Sequence, residues 1–134
     1  MKAHGFSPAD QRLYFYQPRL EARAKLGLKP TDDIKDKKTC ADLLKAIGAN
    51  QAVVEDGIAK LQKAIELRPD YDDAMAYLNL MYRERADLEC DNPDARKADL
   101  KNADDWVDKT MATKKEKAEK AGPSGIVTTE TPAK

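Results

Sequence analysis

A chain of 134 residues is long enough for one modest domain and too short for a second independently folding one. Its 24 basic residues balance 24 acidic ones, so it lacks the basic field that captures nucleic acid or an anionic membrane by bulk charge. Hydrophobic residues make up 41% and aromatics only 6%, so alanine and leucine rather than large rings must fill the core, a composition suited to helices.

In chain order, residues 1–8 read as a mobile lead, 9–120 as a helical domain and 121–134 as a flexible tail. The lead, MKAHGFSPADQR onward, lacks the apolar stretch of a secretory signal, and no later run reaches the length of a membrane span. In ADQRLYFYQPRLEARAKLG, the residues Leu13, Tyr14, Tyr16, Leu20, Ala24 and Leu26 follow a helical distribution that Pro18 divides. Pro18 either kinks one helix or opens a second, where its missing N–H costs nothing. Gly27 supplies a stop, and LKPTDDIKDKKT reads as an exposed, charged connection to a short helix around Cys40–Ile47. Gly48 and Asn50 mark a further break.

The clearest helix runs from Val53 to Leu67. Val54, Gly57, Ile58, Leu61, Ala64 and Ile65 recur every three or four positions, while Glu55, Lys60, Lys63 and Glu66 face outward. Pro69 ends it, and Asp70 is placed to cap a second helix whose packed face carries Tyr71, Ala74, Met75, Leu78, Tyr82 and Ala86. The short connection predicts an antiparallel hairpin. After Asn92 and Pro93, a long helix is expected from Asp94 to about Lys120, with Ala95, Ala98, Ala103, Val107 and Met111 on or beside its buried stripe and Trp106 as the largest anchor. The final AGPSGIVTTETPAK has no helical period.

Catalytic, cofactor and metal chemistry find no support in this pattern. Neither GxxxxGK[ST] nor a strand-linked GxGxxG occurs. Asp32/Asp33, Asp72/Asp73 and Asp104/Asp105 are sequence neighbours whose side chains diverge, and His4 is the only histidine, with no nucleophile beside it. Two separated thiols do not make a zinc site. Lys114, Lys115, Lys117 and Lys120 form a basic stripe, but Glu116 and Glu119 interrupt it and no aromatic platform flanks it, so it reads as a solvated face. Cys40 and Cys90 leave two readings open: a bridge, or two unpaired residues.

The segment GIAKLQKAIELRPDYDDAMAYLNLMYRERA, Gly57 to Ala86, resembles the junction between successive tetratricopeptide repeats. Gly57, Leu61, Ala64 and Pro69 are similar to the small, large, small and terminal proline positions of a repeat's second helix; Met75, Leu78, Asn79 and Tyr82 are similar to the positions opening the next repeat. Met75 stands where the family often has tryptophan, Asn79 where a small residue is common, and the connections after Gly27 and after Tyr82 are longer than the family's.

The resemblance implies an all-α fold of antiparallel hairpins forming a short right-handed solenoid with atypical long connections. It implies a protein or peptide interaction scaffold, with a structural cap of a larger repeat protein as the alternative and an enzyme as a distant third. Tyr77, Asn79 and Arg83 are the implied contact candidates, each with a local packing role as its competitor. The whole pattern is similar to the C-terminal part of bacterial tetratricopeptide proteins, some of them exported, which favours a periplasmic location over a cytoplasmic one. The resemblance also adds weight to a Cys40–Cys90 bridge, since both cysteines stand in the irregular connections.

Overall fold

The structure is a computed structural model and describes residues 17–121. The expected lead, the tail beyond Ala121, and His4, Leu13, Tyr14 and Tyr16 lie outside them. In order come α1 (Gln17–Lys25), α2 (Lys37–Ile47), a 3₁₀ turn (Gly48–Asn50), α3 (Gln51–Leu67), α4 (Asp72–Leu88) and α5 (Pro93–Ala121), with no strand among the described residues. The fold is all-α.

Local chemistry explains most boundaries. Pro18 lies in the first described turn of α1. Gly27, at φ 79°, ends that helix, and the amides of Leu28 and Gly27 donate back to the carbonyls of Arg23 and Ala24 at 2.8 and 3.0 Å. The carboxylate of Asp36 caps α2 by accepting from the Thr39 amide at 3.0 Å. At α4 the expected cap is corrected: Tyr71 occupies that position without a side-chain bond, and Asp70 lies nearer Arg68. Asp72 and Asp73 instead place negative charge in the first turn, where the helix dipole favours it.

α3, α4 and α5 form an antiparallel layer with α4 in the middle. On one side, the Gln62 amide donates to the Tyr82 hydroxyl at 2.9 Å; on the other, Lys114 and Lys117 of α5 reach Asp72 at 2.9 and 2.6 Å while Arg96 reaches Asp87 at the opposite end. The core here is Val54, Ile58, Leu61, Ala74, Leu78, Met81, Tyr82 and Ala103. Each of the apolar positions read as packed on α3 and α4 is buried or half-buried. The family-like Gly57, Leu61, Met75, Leu78 and Tyr82 are buried, Ala64 half-buried, and Pro69 exposed in the turn.

A second, smaller core gathers Ala22, Ile34, Cys40, Leu43, Ile47 and Cys90, and Leu88 packs against both. The connection before α2 is exposed at most positions, as its charges predict, but Ile34 within it is buried. The α1 face is also corrected. Arg19, Ala22 and Arg23 are buried, while Ala24 is exposed.

The register of α5 differs as well. Its inward stripe is Arg96, Asp99, Ala103, Trp106, Thr110, Thr113 and Lys117, spaced alternately three and four residues apart. Ala98, Val107 and Met111 point outward, Met111 being 62% exposed. Trp106 is on the stripe but only half-buried, with Lys109 over its ring at 4.4 Å. No helix among the described residues is long and apolar enough to cross a membrane.

Candidate functional site

A groove of about 900 Å³ lies between α2, the segment before it, and the first turns of α5. Ile34, Ala41, Leu44 and Leu100 line its apolar part together with Cys40 and Cys90, whose sulfurs are bonded and whose Cα atoms stand 5.7 Å apart. The bridge ties α2 to the turn between α4 and α5, so it joins the two walls. Lys35, Lys37, Lys97, Asp36 and Asp91 stand around the opening, and Arg96 reaches it from below. A cavity of this size with an apolar floor and few polar groups suits a small ligand or a short segment of polypeptide.

Behind the groove is a buried ion cluster centred on Asp87. Its carboxylate accepts from Arg23 Nε and Nη2 at 2.8 and 3.0 Å, from Arg19 Nη1 at 3.1 Å and from Arg96 Nη1 at 3.0 Å. Burial pushes the Asp87 carboxyl upward, but the surrounding arginines outweigh it and hold it below the ordinary range. Arg23 also donates to the carbonyls of Lys29 and Asp32 at 2.7 and 2.9 Å, which pins the segment leading to the groove. Arg19 bonds Glu84 as well. These charges come from helices far apart in sequence, and the periodicity of the apolar residues carries no signal of their burial.

A second cluster surrounds Arg85, which donates to Asp99 through Nε and Nη2 at 2.9 Å each and to Glu55 at 2.7 Å. Glu89 stands beside Asp99, its Oε1 buried without a partner among the described residues. Burial, with the neighbouring Asp99, pushes Glu89 up to about 7; burial likewise pushes Glu84 up to about 8 against the opposing pull of Arg19. Both carboxyls hold their protons more tightly folded than unfolded. Their stabilising contribution is thus complete below the ordinary value of 4.5 and is lost as pH rises toward 7 and 8. Urea midpoints are expected to fall between pH 5 and pH 8, and Glu84→Gln and Glu89→Gln should each flatten that decline. A midpoint that rises across this window in the unaltered chain would refute the assignment.

Tyr77, Asn79 and Arg83 are half-buried on α4 and do not line the groove. Arg83 donates to Asn79 Oδ1 at 2.8 Å and to Asp104 of α5 at 2.9 Å. Asn79 in turn donates to the Ala76 carbonyl at 3.3 Å. Tyr77 packs against the larger core. Two of the lysines read as a solvated stripe, Lys114 and Lys117, bind Asp72 and hold its carboxyl well below the usual range. No group of three or more potential metal ligands is present among the described residues.

No protein-family model matches the chain, and neither a curated protein nor a solved structure matches it.

Proposed function

We propose that the chain is a helical interaction module that holds a short segment of a protein partner in the groove between α2 and α5. The observation that carries this reading is the groove itself: an apolar floor fixed by a covalent bridge, with lysine side chains around its opening that make no ion pair among the described residues. Binding is favoured over catalysis because the deeply buried polar side chains, Arg19, Arg23, Glu84 and Asp87, are engaged with one another.

The tetratricopeptide resemblance supports the same reading. The α3–α4 hairpin carries the family-like positions at its buried contact, and a short right-handed solenoid of such hairpins is the architecture we propose. Its binding surface would then be displaced from Tyr77, Asn79 and Arg83 toward the lengthened connections that build the groove. A bacterial, exported or periplasmic setting agrees with a bridge that persists under oxidising conditions. One observation favours a structural cap as the second reading: Val107 and Met111 are exposed on the outer face of α5, at 38% and 62%, where another repeat could stack.

Selection of displayed peptides on the oxidised chain tests the proposal. Ala41→Trp, which places an indole in the groove from an exposed helix position, is expected to abolish binding of the selected peptides while Arg83→Ala leaves it intact. Failure to select a consensus, or a consensus indifferent to Ala41→Trp, would move the function away from the groove.

A further inference from the structure

The charges that face the groove specify its occupant more narrowly. Arg96 is only 7% exposed and lines the groove, yet its guanidinium is incompletely used. Nε donates to Asp33 at 3.2 Å, and Nη1 donates to the Ala86 carbonyl at 3.1 Å and to Asp87 at 3.0 Å. Nη2 takes no acceptor among the described residues. A buried guanidinium with one idle edge at a cavity wall is prepared for an oxygen anion.

The acids around the opening offset its cations only in part. Asp33 is occupied by Arg96 and by the Ile34 amide, and Asp36 by the amide and hydroxyl of Thr39. Asp36 nevertheless keeps its charge, since Thr39 is neutral, and Asp33 also faces Lys35, so with Asp91 three carboxylates stand against Lys35, Lys37, Arg96 and Lys97 in the lining. The lining therefore carries an excess of one positive charge beside its apolar residues, although the chain as a whole has no net charge.

We infer that the groove recognises an acidic segment of a partner polypeptide in which aspartate or glutamate side chains flank a leucine-sized apolar one. The apolar side chain rests on Ala41, Leu44 and Leu100, one carboxylate bonds Arg96 Nη2, and a second lies among the lysines. The inference rests on the groove reading above and adds the chemistry of the partner.

Two blocked peptides provide the test, acetyl-Gly-Asp-Leu-Glu-Leu-Gly-amide and its Asn/Gln counterpart, followed by fluorescence anisotropy and by amide chemical shifts of the oxidised chain. The acidic peptide is expected to bind about tenfold more tightly, with the difference collapsing at about 0.5 M salt, where exposed charges are screened. The triple variant Lys35→Glu, Lys37→Glu, Lys97→Glu, which leaves the Asp87 cluster untouched, should lose that preference with its circular dichroism unchanged. Equal affinity for the two peptides would overturn the acidic specificity and leave the groove reading standing. Absence of shifts at Ala41, Leu44 and Leu100 with either peptide would overturn both. Shifts there with octanoate and with neither peptide would replace the polypeptide by a small anionic amphiphile and so overturn the inference.

Discussion

Replacing Asp87 with alanine is expected to destabilise the chain by about 3–5 kcal/mol, the cost of leaving a buried charge without its counter-ion. The direction follows from the arrangement: Arg19, Arg23 and Arg96 converge on one carboxylate that is 1% exposed. Removing it leaves guanidinium groups facing one another in a site that excludes water. Asp87→Asn separates the possible causes, since it keeps the side-chain volume while it removes the charge and turns one accepting oxygen into an N–H donor. If uncompensated arginine charge dominates, the asparagine variant loses most of what the alanine variant loses; near-native stability of Asp87→Asn in urea unfolding would assign the effect to the void instead. Because Arg23 also holds the carbonyls of Lys29 and Asp32, hydrogen exchange at the amides of α1 and of residues 26–36 should accelerate before that of α3.

The α3–α4 hairpin was legible in the sequence because its stabilising contacts are apolar and local. Val54, Ile58 and Leu61 face Ala74, Leu78 and Tyr82 across a turn of a few residues, and apolar spacing reports that kind of contact directly. In α5 the same logic found Ala103 and Trp106 but misplaced Ala98, Val107 and Met111 and missed the polar inward residues. Its inward residues are Arg96, Asp99, Thr110, Thr113 and Lys117 around Ala103 and Trp106, and hydropathy assigns such residues to solvent while Val107 and Met111 are in fact outside. The alternating spacing of three and four was available as a signal only by disregarding polarity.

The candidate site was harder still to read. The partners of Asp87 on α1 lie 64 and 68 positions away, and a charged residue carries no mark in the sequence that distinguishes a buried pair from an exposed one. Charge balance takes on a different meaning in this light. Acidic residues outnumber basic ones from Glu84 to Asp108, but Asp87, Asp99 and Asp104 are paired with Arg19, Arg23, Arg96, Arg85 and Arg83 within the fold. Part of that acidic excess is thus consumed by arginines inside the fold.

Reduction of the Cys40–Cys90 bridge, or its replacement in the Cys40→Ser, Cys90→Ser variant, is expected to lower stability by about 4 kcal/mol. That figure is the loop-closure entropy returned to the unfolded chain when a separation of 50 residues is no longer fixed. The loss should fall unevenly across the molecule. The larger core of α3, α4 and α5 contains neither cysteine, whereas the smaller core is built around both. Without the bridge, α1 and α2 remain attached through Leu88 and the Asp87 cluster, so their amides should exchange through a low-energy opening while the buried amides of α4 exchange only through global unfolding. Equal acceleration in both regions would mean that the two cores unfold as one unit, and a change in stability below about 1 kcal/mol would remove the bridge as a principal constraint on the fold. The same measurement bears on the groove, since α2 supplies Ala41 and Leu44 to one wall and α5 supplies Leu100 to the other. A local opening that frees α2 separates those walls, so the reduced chain should bind a groove-directed peptide more weakly than the oxidised chain even at temperatures where α3–α5 stays fully folded.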